Sequence, residues 1–269
     1  MKALRPFFFI VAFVLIIGLA CTFGTGTSTE QPPAVPSEPP VQEQPTEAPP
    51  EPQPEQPTEA PAPTEVPPTE APTAEKFFTE EFDGDIANWS TLTVTDSDNA
   101  DPDKVTVKPE NGKLVFDFGS EYVYYYMFYD PFTYEDVSIE VKADNRGKNN
   151  NNVSLLCRYD EREGWYEFNI ANNGLYWIYY AQPNADTNKT QYFRIYNGGS
   201  TAIKQGKDVN TYKATCKGDT LSLYINGKEA RTVKDTKYKL REGKVGLSVS
   251  SFNVLPILVE MEWFKISEP

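Results

Sequence analysis

From Phe77 to Ile266, apolar and polar side chains alternate with a period of two, and no stretch sustains the 3.6-residue period of an amphipathic helix. Runs such as Leu221-Ser222-Leu223-Tyr224-Ile225 are broken by Asn, Gly and Asp. That pattern predicts strands joined by tight turns. Fifteen such windows fit between 77–82 and 257–266, among them 153–159, 164–170 and 174–180. The sharpest turn signal is Asn226-Gly227, because a type I′ hairpin needs positive φ at both central residues. Asn111-Gly112, Asn173-Gly174 and Gly218-Asp219 add three more. Many short strands without helices predict two packed antiparallel sheets, a sandwich of the all-β class, over residues 76–269.

The alternation stops before residue 76. Sixteen of the 23 prolines fall between Pro32 and Pro72, and the unit Pro-Thr-Glu-Ala-Pro occurs at 45–49, 57–61 and 68–72. A segment so poor in apolar residues cannot offset its ordering entropy by burial. Residues 21–75 are therefore expected to be a linker rather than a domain. Proline favours an extended chain at ~3.1 Å per residue, so about fifty residues reach on the order of 150 Å. The linker also accounts for most of the chain's charge. It carries ten glutamates and no basic residue, and Lys2 and Arg5 precede it, so the domain holds only −6 of the net −14.

Residues 1–20 read as an export signal: Lys2 and Arg5, then an uncharged apolar run from Phe7 to Ala20. The run is too short for a permanent span, which needs roughly twenty residues. Gly18-Leu19-Ala20-Cys21 resembles a bacterial lipobox, which implies a lipid on Cys21. The expectation is a membrane-anchored lipoprotein with its domain on the extracytoplasmic side, touching the membrane through the lipid alone.

The chain has no histidine. That removes Ser-His-Asp and Cys-His catalysis and His-ligated metal sites. An acidic chain also argues against a nucleic-acid partner. With Cys21 lipidated, Cys157 and Cys216 remain, each inside a predicted strand of an exported protein. An inter-strand disulfide is the default and two buried thiols the alternative. The bridge would close a loop of about sixty residues, at ~3–4 kcal/mol in the chain-entropy account.

Several segments together resemble the concanavalin A-like lectin/glucanase fold. They are Phe82-Asp83-Gly84 with Trp89, Leu156-Cys157-Arg158-Tyr159, Tyr166-Glu167-Phe168-Asn169-Ile170, and Gly243-Lys244-Val245-Gly246-Leu247. The nearest branch is the laminin-G-like domains known as 3-keto-disaccharide hydrolases. The resemblance implies a fold, a two-sheet antiparallel jelly-roll sandwich, more than an activity. The Glu-x-Asp-x-x-Glu strand of the laminarinase-like glucanases is absent, and no catalytic residues are assigned. Some relatives share a calcium between first and last strands, which here implies Asp83, Gly84 and Glu262. Otherwise no cofactor is expected.

The central meander yields a candidate binding face. With Phe168 facing the core, Tyr166 and Ile170 do so too. A tight turn at 171–173 then sets Ile170 opposite Gly174, Phe168 opposite Tyr176 and Tyr166 opposite Ile178. Setting Tyr159 opposite Gly164 turns Cys157 inward beside Tyr166. The other face presents Arg158, Trp165 and Tyr179 in one row, Leu156, Glu167 and Trp177 in the next, and Ser154, Asn169 and Leu175 in a third. Flat aromatics among Arg, Glu and Asn suit a sugar, whose C–H faces stack while its hydroxyls pair. The ligand-binding candidates are thus Arg158, Trp165, Glu167, Asn169, Trp177 and Tyr179. The face could equally be covered by another segment or form a solvated aromatic ladder. Tyr122, Tyr124 and Tyr126 alternate with Val123, Tyr125 and Met127; the outward triplet either extends this platform or caps an edge. Three functions follow: noncatalytic recognition of a carbohydrate or cell-wall glycan by a monomer, hydrolysis of a glycoside or 3-keto-disaccharide by Asp and Glu, or protein adhesion.

Overall fold

The computed structural model describes residues 74–184 and 189–269. The signal segment, Cys21 and nearly all of the Pro-rich segment lie outside the described residues. Within them the regular structure is fifteen strands and one 3-10 turn at Pro102–Lys104, and no helix is long and apolar enough to cross a membrane.

Two antiparallel sheets form the sandwich. The first runs in the order β13 (Lys228–Lys234), β12 (Thr220–Ile225), β11 (Val209–Lys217), β6 (Val137–Asn145), β15 (Ile257–Ser267), β4 (Leu114–Phe118) and β3 (Val105–Pro109). The short β1 (Phe78–Glu80) adds to β15. The second runs in the order β10 (Lys189–Gly199), β9 (Leu175–Asn184), β8 (Gly164–Ala171), β7 (Asn151–Asp160), β14 (Gly243–Ser251), β5 (Val123–Tyr134) and β2 (Trp89–Thr95). The expected hairpin turn is present: Asn226 and Gly227 both adopt positive φ, 50° and 75°, as a type I′ turn demands.

The core lies between the sheets, where alternate residues of each strand interdigitate. Phe168, Ile170 and Ile178 meet Ile139, Val141 and Leu223 across it, all essentially fully buried. Cys157 and Cys216 form a disulfide. Because β7 and β11 belong to different sheets, the bridge ties the two layers together.

Two register expectations need correction. The β8–β9 turn is longer than a tight turn, so Ile170 pairs with Tyr176, Phe168 with Ile178 and Tyr166 with Tyr180. Relative to expectation β9 slides by two residues, and each side chain keeps its face. Between β7 and β8 the pairs Cys157–Tyr166 and Leu156–Glu167 form as expected, but Asp160, not Tyr159, pairs with Gly164. A β-bulge inserts a residue there, with Arg158 at φ 58°. An extra residue reverses the alternation beyond it, so Tyr159 takes the outward place and Arg158 turns away.

The seven-stranded sheet is strongly curled. Five strand-to-strand steps separate β10 from β5, about 24 Å if the sheet were flat. Yet the hydroxyls of Tyr192 on β10 and Tyr126 on β5 approach to 2.5 Å. The outer face is therefore a trough, and its two long edges face each other.

Candidate functional site

The floor of the trough is polar. Glu167, Asn169, Ser154 and Asn152 lie in adjoining rows of β8 and β7. Ser248 and Ser250 of β14 sit beside Ser154 and Asn152. Their hydroxyls are buried and have no hydrogen-bond partner among the described residues.

Glu167 organises this floor. Its carboxylate is 1% exposed and accepts four hydrogen bonds. Ser154 Oγ (2.8 Å) and Asn169 Nδ2 (3.0 Å) donate to Oε1, and Trp165 Nε1 (3.2 Å) and Tyr126 Oη (3.3 Å) to Oε2. Asn169 also accepts from Asn152 Nδ2 at 2.6 Å, which carries the network to the next strand. Burial pushes the Glu167 carboxyl up, against the pull of its four donors. Burial likewise raises the phenols above it, well up for Tyr126 and Tyr192 and to about 12 for Tyr124, so these are neutral donors and acceptors.

Above the floor lies a cleft of about 430 Å³. Trp177, Tyr179 and Tyr192 form one side, Tyr124, Val94 and Phe252 the other, and Asp96 and Lys189 stand on the rim. Beside it, one end of the face is filled by a second apolar cluster of Tyr126, Phe128, Leu156, Trp165 and Ala181. Tyr159 joins that cluster, its ring stacked on Phe128 at 3.6 Å, in the place expected for Arg158.

Four of the six residues named from sequence meet at the cleft: Glu167, Asn169, Trp177 and Tyr179. Trp165 is a fully buried member of the apolar cluster and reaches the site through its indole N–H on Glu167. Arg158 is elsewhere. It is 1% exposed and donates to three carbonyls, Glu135 O, Gly218 O and Leu240 O, each at 2.8 Å. Its guanidinium clamps loops at the end of the sandwich. Burial lowers its pKa.

Sequence reasoning missed Tyr192, Phe252 and Asn152, which come from separate strands and a loop. It left Tyr124 and Tyr126 open between two roles. Both face the trough; Tyr124 lines the cleft and Tyr126 belongs to the cluster that ends it. The Asn149–Asn152 run lies beside the cleft, and Asn151 and Asn152 belong to β7. As to calcium, Asp83 is exposed, and Glu262 is paired with Lys142 at 2.5 Å. Among the described residues no group of three or more Asp, Glu or Cys side chains gathers around a point.

The chain matches the model of the 3-keto-alpha-glucoside-1,2-lyase-like domain over residues 78–263. No curated protein matches it. Among solved structures it resembles a prokaryotic beta-1,3-1,4-glucanase (lichenase) derived from a mouse hindgut metagenome. Identity is 12% and the TM-score 0.51, covering 72% of this chain and 99% of that one. It also resembles a family 16 glycoside hydrolase from the mixed linkage glucan PUL of Bacteroides ovatus, in complex with product. There identity is 15% and the TM-score 0.50, covering 71% of this chain and 99% of that one. At such identities the shared feature is the jelly-roll fold. The family model, by contrast, extends from the first strand of the sandwich into the last, and the chain belongs to the family of 3-keto-alpha-glucoside-1,2-lyase-like domains.

Proposed function

We propose that this domain binds a glycan in the trough of its seven-stranded sheet and does so without catalysis. The observation that carries the reading is the cleft itself: Trp177 and Tyr179 flank a floor of Asn152, Asn169 and Glu167. Aromatic faces take the C–H side of a pyranose, and amides offer a donor and an acceptor to its hydroxyls. Glu167 supports the noncatalytic form, because its two oxygens are already engaged by four donors. Trp177→Ala in the full-length protein should weaken saccharide binding about tenfold, or ~1.4 kcal/mol, by titration calorimetry. Absence of binding to any glycan at millimolar concentration removes the reading.

The family match favours a second reading, turnover of a 3-keto glucoside. A carbonyl at C3 acidifies the hydrogen at C2, so elimination across C1–C2 needs one base and an exit for the C1 oxygen. Among the described residues, Asp96 and Glu167 are the carboxylates on the cleft. Product release from 3-keto-disaccharides by the wild-type protein, lost in Asp96→Asn or Glu167→Gln, would replace the binding reading with this one.

The sequence further supports display of the domain from a membrane by a lipid on Cys21. Cys21→Ser should shift the protein from the membrane fraction to the soluble one, and an unchanged distribution refutes the anchor.

A further inference from the structure

The cleft continues at both ends, and the two continuations differ in charge. Toward the β7–β8 turn it shares Val94, Thr95, Lys189 and Thr190 with a recess of about 610 Å³, on which Glu161 and Arg162 also lie. At the opposite end it shares Asn152, Trp177 and Phe252 with a pocket of about 220 Å³. The other walls of this pocket are Ala171 and the asparagines at 149–151, 172 and 173. Among the described residues no charged side chain lines it. Its volume is that of about seven waters, enough for one sugar ring.

The amides are tied to one another and to the cleft floor. Asn172 Nδ2 donates to Asn151 Oδ1 at 2.7 Å, and Asn152 Nδ2 donates to Asn169 Oδ1 at 2.6 Å. Asn151 is 2% exposed, and its Nδ2 has no hydrogen-bond partner among the described residues. A buried amide donor without a partner is uncommon in native proteins and marks a place where an acceptor is missing. Here that donor belongs to the wall of a pocket that opens into the cleft. A hydroxyl suits such a wall, because it accepts from an amide N–H and donates to an amide oxygen. A carboxylate or sulfate does not, because it would shed water and find no cation to pair with.

We infer that the amide pocket is a second saccharide subsite, which takes an uncharged ring beside the ring held over the Glu167 floor. Trp177 lines both spaces and spans the linkage between the rings. The inference rests on the glycan reading above and adds to it a second ring and that ring's lack of charge.

Ligand-observed NMR titration of the full-length protein compares glucose with α- and β-linked glucose disaccharides. It also compares each of these with the glucuronate compound of the same size and linkage. One disaccharide should bind about tenfold more tightly than glucose. The penalty for carboxylates should be about tenfold larger in that disaccharide than in the single sugar. Asn151→Ala should remove most of the advantage of the disaccharide over glucose. Asn149→Trp, at an exposed position of the pocket wall, fills the pocket and should do the same, so a folding defect in Asn151→Ala leaves the point testable. Glucose and every disaccharide binding equally overturn the second subsite and leave the glycan reading standing. An advantage that survives both variants places the second ring elsewhere and overturns the assignment. Equal carboxylate penalties in one ring and two overturn the neutrality. No binding by any compound removes both readings.

Discussion

Replacing Glu167 with alanine should cost about 4 kcal/mol of stability and reduce saccharide binding below detection. Four donors from three strands converge on this one buried carboxylate. Removing it leaves the Trp165 N–H without an acceptor and Asn169 Nδ2 with Ser154 Oγ alone, and the hydroxyls of Ser154 and Tyr126 must rotate to find others. Each unsatisfied buried group costs roughly 1 kcal/mol or more. Binding suffers because Asn169, and through it Asn152, is held in place by Glu167. Glutamine is not a neutral replacement, since its amide would point N–H at N–H on one side. The pH dependence has a definite sign. Burial raises the folded-state pKa of Glu167 above the ordinary 4.5. The wild-type protein therefore loses stability as pH rises from that value through the folded-state pKa, and Glu167→Ala lacks this loss. The gap between the two proteins is widest below pH 4.5 and narrows above it. Urea denaturation at several pH values measures both effects; a variant within 1 kcal/mol of wild type at every pH would dismiss Glu167 as the organiser of the floor.

Removing the disulfide is the second large effect. Cys157 and Cys216 are 59 residues apart in sequence and tie β7 of one sheet to β11 of the other. The unfolded chain without the bridge regains loop entropy of about 3–4 kcal/mol. Both cysteines are fully buried in the core, so Cys157→Ala with Cys216→Ala also loses some packing. For a domain of this size, about 2–4 °C of Tm accompanies each kcal/mol. Scanning calorimetry of the double variant should show a fall of roughly 8–15 °C. A fall under 3 °C means that the bridge does not constrain the unfolded chain in this way.

How far the site could be read from sequence depends on parity. Sliding a strand by two residues exchanges partners but not faces. The expected pairing of β8 with β9 was off by that amount, and Glu167, Asn169, Trp177 and Tyr179 still emerged together on the outer face. A bulge is an odd step. The one at Arg158 carried that residue off the outer face and put Tyr159 in its place. Nothing in Cys157-Arg158-Tyr159 announces it, because an arginine at φ 58° has no signature in sequence comparable to Asn-Gly. Trp165 faced as expected, but which residues would cover it lay beyond local pattern. Its lid consists of Tyr126 and Phe128 from a strand some forty residues earlier.

By itself the sequence determined the strands, most of the turns, the two-sheet sandwich and the inward direction of Cys157. These follow from alternation, from residues that tolerate positive φ, and from the compartment in which thiols oxidise, all of them properties of neighbouring residues. Only the tertiary structure decided that the outer face is a trough with a polar floor and an apolar cluster at one end. That outcome depends on the curl that brings β10 within reach of β5. Curl accumulates from small twists over seven strands, so no single stretch of sequence contains it.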